Sequence, residues 1–230
     1  MDYPQEQSPM ALDGRWHFAI HDGPLAAECT TAAALQQAGL RAYPCTVPGN
    51  LELDLQAVGL FPEPFYGLNI LKAQELEHTH VWYWREFSVD LGRVGEPELV
   101  FEGLDCYADV YLNGVLLGTY DNMLVEQAID VRGRLREHNE LLVHIRPALD
   151  EARRYPYSAS AWALSTNYES LYVRKAPHMY GWDIMPRALS AGIWRPVLLR
   201  YKPAERFEEV YLRTLSLGAN LGSAELLLYF

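Results

Sequence analysis

The spacing of apolar and polar positions changes character along the chain. Residues 14–20, Gly-Arg-Trp-His-Phe-Ala-Ile, alternate in type and predict a first strand. Residues 28–40, rich in Ala, Leu and Gln, predict a short helix that stops at Gly39. Val47-Pro48-Gly49-Asn50 reads as a turn, followed by a second short helix over 51–58. Residues 59–70 carry Pro62, Pro64 and Gly67 and read as irregular. From residue 80 onward the pattern is that of strands: 80–89 (with Trp82, Tyr83, Trp84 and Phe87), 98–102, 108–112, 115–120, 124–131 and 140–146. Asn113-Gly114 sits between two apolar runs. That is the strongest local hairpin signal, because a type I′ turn needs positive φ at both central residues. Glu137-His138-Asn139 marks another turn. Residues 147–157 break the pattern with a helical turn, 158–191 have no clean period, and 192–201 return as a strand. Many short strands divided by turn signals predict an all-β sandwich or barrel with short helices.

The tail adds a question of domain count. Residues 207–214 and 224–230 read as two strands joined by a polar, Gly-containing turn. A chain ending on an apolar strand presents an edge without a partner. The expectation is therefore a first domain over 1–203 and the opening of a second over 204–230, linked near Lys202-Pro203-Ala204-Glu205. The alternative is a last strand that closes the same sandwich.

Composition narrows the function classes. With 230 residues and 50% hydrophobic content, the chain has ample material for a core. A formal charge of −11, with no basic run to offset it, argues against nucleic acid and anionic membrane surfaces. Three cysteines, Cys29, Cys45 and Cys106, match no zinc spacing and predict free thiols in a reducing compartment. The opening residues show neither a basic region nor an apolar core, and no apolar run reaches the length of a membrane span. A cytoplasmic protein is the expectation. No metal motif, phosphate loop or Gly-x-Ser-x-Gly elbow appears, and Ser165-Thr166-Asn167 lacks a base at suggestive spacing, so no metal, cofactor or nucleophile is expected.

The long irregular stretch holds the candidate chemistry. Arg174-Lys175-Ala176-Pro177-His178-Met179-Tyr180-Gly181-Trp182-Asp183-Ile184-Met185-Pro186-Arg187 is closed by Gly192-Ile193-Trp194-Arg195-Pro196. A loop so long is functional or disordered, and its aromatics, Trp162, Tyr168, Tyr172, Tyr180 and Trp182, argue against disorder. It offers indole faces, a carboxylate and guanidinium forks, which suit a neutral, hydroxyl-rich ligand. The plainer alternative is a Trp cluster with Asp183 paired to a nearby Arg. Glycoside hydrolysis needs two flanking carboxylates, and nothing pairs Asp183, Glu169 and Asp105. Asp105 reads as ending a strand or ordering a turn, Glu169 as a solvated charge, and His80 as structural.

Taken together, these residues resemble the N-terminal sugar-binding domain of glycoside hydrolase family 2, in its β-mannosidase branch. Trp16 and Phe18 are similar to the family's opening strand, Val47-Pro48-Gly49-Asn50 to its Val-Pro-Gly turn, and Trp82 to Phe87 to its aromatic strand. Phe101-Glu102-Gly103-Leu104-Asp105, Ala108-Asp109-Val110-Tyr111-Leu112-Asn113-Gly114, Asn122-Met123-Leu124 and Asn139-Glu140-Leu141-Leu142-Val143 continue the likeness. The branch motif is similar to Tyr180-Gly181-Trp182-Asp183-Ile184-Met185-Pro186-Arg187 and Gly192-Ile193-Trp194-Arg195-Pro196-Val197. Ile184 and Met185 depart from its Trp and Gly. They remove an aromatic face and add bulk, which leaves the exact sugar open.

The resemblance implies a galactose-binding-like jelly-roll sandwich over 1–203, then immunoglobulin-like domains around a (β/α)8 barrel that carries both catalytic Glu. No catalytic residue is then expected in these 230 residues. It implies that Asp183 bonds hydroxyls of the terminal sugar with Trp182 as a wall, while Arg174, Arg187 and Trp194 support the loop. The implied enzyme is a retaining exo-β-mannosidase whose partners are carbohydrate and its own downstream domains. A stand-alone carbohydrate-binding module, or an exo-β-glucosaminidase, β-galactosidase or β-glucuronidase specificity, remain the alternatives.

Overall fold

Alternation in the first long strand sends Trp16 and Phe18 to one face, where both are fully buried. The computed structural model describes residues 8–158, 160, 168–203, 205–207, 209–216 and 223–229. Trp162, Ser165-Thr166-Asn167, the opening residues 1–7 and Phe230 lie outside the described residues.

In chain order the elements are β1 (Met10–Ala11), β2 (Gly14–His21), α1 (Ala32–Gln37), β3 (Tyr43–Val47), α2 (Leu51–Ala57), β4 (His80–Ser88), β5 (Glu96–Phe101) and β6 (Leu104–Asp105). They continue with β7 (Tyr107–Leu112), β8 (Val115–Tyr120), β9 (Gln127–Asp130), β10 (His138–Arg146), α3 (Ala148–Ala152), β11 (Gly192–Ile193), β12 (Val197–Lys202), β13 (Glu209–Ser216) and β14 (Ser223–Tyr229). Short 3₁₀ turns occupy Asn69–Leu76, Tyr168–Tyr172 and Pro177–Tyr180.

The strands form a β-sandwich. A six-stranded sheet, β3-β2-β4-β10-β7-β8, faces a four-stranded sheet, β1-β12-β5-β9. Their inner faces share one core: Trp16, Phe18, Tyr83, Val110 and Val143 from the larger sheet meet Leu99, Phe101, Ile129, Val197 and Leu199 from the smaller. The larger sheet is also covered outside. Trp82, Trp84, Ala19 and Leu142 pack there against Leu35 of α1 and Leu40. Burial on both faces explains why 80–84 is one unbroken buried run instead of an alternation.

Local chemistry sets the connections. Asn113 and Gly114 have φ of 53° and 80°, as a type I′ hairpin between β7 and β8 requires. The Asn113 amide also ties the hairpin to β10, donating to Asn139 Oδ1 and accepting from the Glu140 amide, each at 3.0 Å.

Several expectations need correcting. The first helix spans only Ala32–Gln37, because the Thr31 hydroxyl accepts the Ala34 amide at 3.2 Å and caps it there. The strand expected over 124–131 is limited to β9. The strand expected over 192–201 is split into β11 and β12, since Trp194 turns aside and Pro196 has no amide to donate. β3 escaped the pattern because it contains Pro44, tolerated there on an edge strand. At the chain's end β13 and β14 pair only with each other among the described strands, and every residue of β13 is exposed. Cys29, Cys45 and Cys106 are all unpaired.

Candidate functional site

The 174–196 loop is built as a free tip on a tied base. Pro177 opens the 3₁₀ turn Pro177–Tyr180, and Gly181, at φ 97°, takes the left-handed conformation that ends it. Trp182 and Met185 then exchange two backbone hydrogen bonds of 3.0 and 3.1 Å. Asp183 and Ile184 stand at the tip of this small hairpin. The Ala188 amide donates to the Met179 carbonyl at 3.0 Å and closes its stem. Trp182 is 63% exposed and Ile184 85%. Asp183 is exposed too, and among the described residues no hydrogen bond or ion pair engages its carboxylate.

The base is tied by charge. Arg187 meets Glu77 in a bidentate pair, Nε to Oε1 at 2.6 Å and Nη2 to Oε2 at 2.8 Å, and its guanidinium lies over the buried Tyr180 ring. That contact with Glu77 holds the Arg187 pKa above its ordinary value. Lys175 is fully buried. Its ammonium donates to both Asp105 oxygens, at 2.5 and 2.6 Å, and to the Ser190 carbonyl at 2.5 Å. The Ser190 hydroxyl donates in turn to Glu52, whose pKa is raised by burial. Burial also raises Asp105, with Lys175 pulling the other way.

Two anchors expected in the loop converge elsewhere. The Arg174 guanidinium faces Asp121 at 3.4 Å, and both side chains are well exposed, so this pair contributes little. Its carbonyl accepts the Met123 amide at 3.0 Å, while the Trp194 indole donates to the Met123 carbonyl at 3.3 Å. Arg174 and Trp194 therefore meet at Met123, and Trp182, Asp183 and Arg187 share the hairpin. Beneath the loop, Asn50, Asp105, Met179, Ser190 and Trp194 line a cavity of about 310 Å³. A larger hollow of about 580 Å³, between Glu86, His138 and Glu140, draws on none of the loop's residues.

Chemically, the hairpin offers an unpaired carboxylate beside an exposed indole. That can bond a hydroxyl and stack against C–H groups. Asp105 is consumed by Lys175 and is not free to act as half of a hydrolytic pair. Among the described residues, no group of three or more His, Cys, Asp and Glu is placed to hold a metal ion. Glu77, Lys175 and Ser190 were not foreseen as supports. Only Lys175 carried a signal, as the cation beside Arg174 in the motif.

A family model described as the glycosyl hydrolase 2 galactose-binding domain-like family matches residues 28–195. The chain belongs to this family. The matched span contains the whole hairpin, both ion-pair anchors and Trp194. Among curated relatives, β-mannosidase B of Thermothelomyces thermophilus is 33% identical over 73% of this chain and 20% of its own length. β-Mannosidase B of Emericella nidulans is 34% identical over 73% of this chain and 21% of its own. Among solved structures, the β-D-mannosidase of Dictyoglomus thermophilum superposes with a TM-score of 0.76 and 32% identity, covering 96% of this chain and 26% of that one. The chain thus spans about one fifth of the length of the curated relatives it matches. A β-glucuronidase from Bifidobacterium dentium, at 22% identity and a TM-score of 0.61, shares the fold. This galactose-binding-like domain presents the exposed, unpaired carboxylate of Asp183 at the tip of a loop whose base is tied by two ion pairs. Among the described residues, no helix is long and apolar enough to cross a membrane.

Proposed function

We propose that this domain serves a retaining exo-glycosidase of β-mannosidase type, supplying a substrate-binding hairpin to a catalytic barrel that lies outside these 230 residues. In this reading Asp183 accepts hydrogen bonds from hydroxyls of the terminal sugar, and Trp182 walls the site. Arg187, Arg174 and Trp194 support the loop. Both catalytic carboxylates belong to the barrel, so the domain alone has no hydrolase activity. Residues from about 204 onward open an immunoglobulin-like domain. The protein works in the cytoplasm, where three unpaired cysteines are at home.

The observation that carries the reading is the unengaged, exposed Asp183 beside an exposed Trp182. A carboxylate held to stabilise a loop would be paired, as Glu77 and Asp105 are. The β-mannosidase relatives support mannose as the sugar, and Ile184 and Met185, which depart from the branch motif, count against it.

A hydrogen bond to a charged acceptor contributes about 1.5–3 kcal/mol. In the enzyme that carries this domain, Asp183→Ala should therefore lower kcat/KM on an aryl β-mannoside by about ten- to hundredfold. Unchanged kinetics would make Asp183 irrelevant to the sugar. Equal loss on β-mannoside, β-glucosaminide, β-galactoside and β-glucuronide would remove the mannose assignment.

A further inference from the structure

The hairpin tip is free, but something must fix where it points. We infer that Glu77 is the positioning residue of the hairpin, setting the place of the Asp183 carboxylate through its two-point grip on Arg187. The inference rests on Asp183 being the sugar contact.

Three observations carry it. First, Glu77 stands on rigid ground. It follows the 3₁₀ turn Asn69–Leu76, whose Ala73 is fully buried and whose Leu76 packs on the main core, and it comes three residues before β4. Second, the grip is bidentate and largely buried, with side chains 8% exposed for Glu77 and 17% for Arg187. Two parallel contacts fix the plane of the guanidinium as well as its distance, which one contact cannot do. Third, Arg187 sits inside the stem. Its Cβ lies 3.5 Å from where a Cβ at Gly181 would stand, an ordinary contact distance, and its guanidinium covers Tyr180. Arg187 thus packs on Tyr180 and stands beside Gly181, the two residues that precede Trp182 in the chain. A shift of Arg187 moves the base of the hairpin, and a displacement near 1 Å can lower a rate by about a hundredfold.

Glu77→Gln keeps the size and one acceptor oxygen but loses the charge and the second acceptor. In this chain, amide exchange at Trp182, Met185 and Ala188 reports the three hydrogen bonds of the hairpin. Exchange there should rise about tenfold or more in Glu77→Gln and in Arg187→Lys. Exchange at Trp84 and Leu142, in the sheet, should stay unchanged. Glu77→Asp, which keeps the fork with a shorter reach, should restore part of the protection. Unchanged protection at the three amides, or a parallel rise in the sheet, would overturn the inference.

In the enzyme that carries this domain, Glu77→Gln should lower kcat/KM on an aryl β-mannoside about tenfold. Most of that loss should vanish in an Asp183→Ala background, where only the Trp182 wall is left to be displaced. A full tenfold loss in that background would mean that Glu77 does not act through Asp183. If Asp183→Ala alone changes nothing, the sugar-contact reading fails, and the exchange measurement alone decides whether Glu77 holds the hairpin.

Discussion

Replacing Lys175 by Met tests the base of the loop most directly. Lys175 is 1% exposed and its partner Asp105 3%. The ammonium has three donors, and it meets three acceptors: both Asp105 oxygens and the Ser190 carbonyl. Met fills a similar volume and keeps the apolar stem, so packing changes little. What changes is that Asp105 is left buried without a counter-charge and the Ser190 carbonyl without its donor. Removing one partner of a buried pair costs about 3–5 kcal/mol. Burial already raises the Asp105 pKa, and Lys175 is what lowers it, so in the variant the carboxyl takes up a proton. That uptake limits the loss and gives it a pH signature. The folded pKa then stands above the unfolded one. The deficit is therefore small below the unfolded value of 3.8 and grows as pH rises toward neutrality. With a urea dependence of about 2–3 kcal/mol per molar, the midpoint at pH 7 should fall by about 1–2 M. Converting both partners, Lys175→Met with Asp105→Leu, should recover much of the loss, because no charge then remains buried. The reasoning fails if Lys175→Met stays within about 1 kcal/mol of the parent, a loss no larger than one ordinary neutral hydrogen bond.

Two further outcomes follow from buried groups. Burial, and then His144 at 2.9 Å, lower the His80 pKa from 6.5 to about 4, while burial raises Asp54, bonded to Tyr83, from 3.8 to about 6. Between pH 6.5 and 4 the unfolded chain binds the His80 proton that the folded chain refuses, so acid weakens the fold. Asp54 has the opposite sign, its contribution being lost as pH rises from about 4 to 6, each effect up to about 3 kcal/mol. His80→Gln should therefore flatten the acid loss and Asp54→Asn steepen it, read from urea midpoints at several pH values. The same pH profile in both variants would contradict the assignment. At Gly103, an added Cβ would lie 2.4 Å from the Trp194 indole nitrogen. Gly103→Ala should cost about 1–3 kcal/mol and expose Trp194 to iodide quenching; parent-like stability and quenching would mean that the indole has room to shift.

The elements legible in the sequence are those whose cause is local. The Asn113-Gly114 turn, the aromatic strand of β4 and the partner strand β10 each follow from neighbours in the chain. Elements decided elsewhere in the fold escaped. β3 holds Pro44 and is permitted only because it lies on an edge. The end of β11 is set by a hydrogen bond from Trp194 to the carbonyl of Met123, 71 residues earlier in the chain. The first helix is shorter than its Ala- and Leu-rich composition predicts, because Thr31 caps its start. The same division runs through the site. Glycine, tryptophan and aspartate in one short segment announce a shaped tip. Glu77 and Arg187 are 110 residues apart, and Lys175 and Asp105 are 70 apart. No periodicity reports a pairing that exists only once two sheets have folded.

That separation bears on how the loop can work. Its two base cations, the buried Lys175 and the partly buried Arg187, are held by carboxylates from other parts of the chain, Asp105 beside β11 and Glu77 before β4. Breaking either contact leaves a charge with reduced access to water, so the base has a strong preference for one arrangement. At the tip the balance is reversed. Asp183 is solvated, and among the described residues it makes no contact that it would have to surrender. A carboxylate in that state keeps its full hydrogen-bonding capacity for a ligand and loses only its hydration on contact. The rigid base limits the entropy that ordering the tip would otherwise cost. The plainer alternative, a Trp cluster with Asp183 paired to Arg, would need Arg174 or Arg187 to turn toward the tip. Arg187 is committed to Glu77, and Arg174 faces Asp121 beside the separate junction at Met123. Charge pairing therefore shapes the base of the loop and leaves the Asp183 carboxylate solvated and unpaired at its tip, as the proposed sugar contact requires.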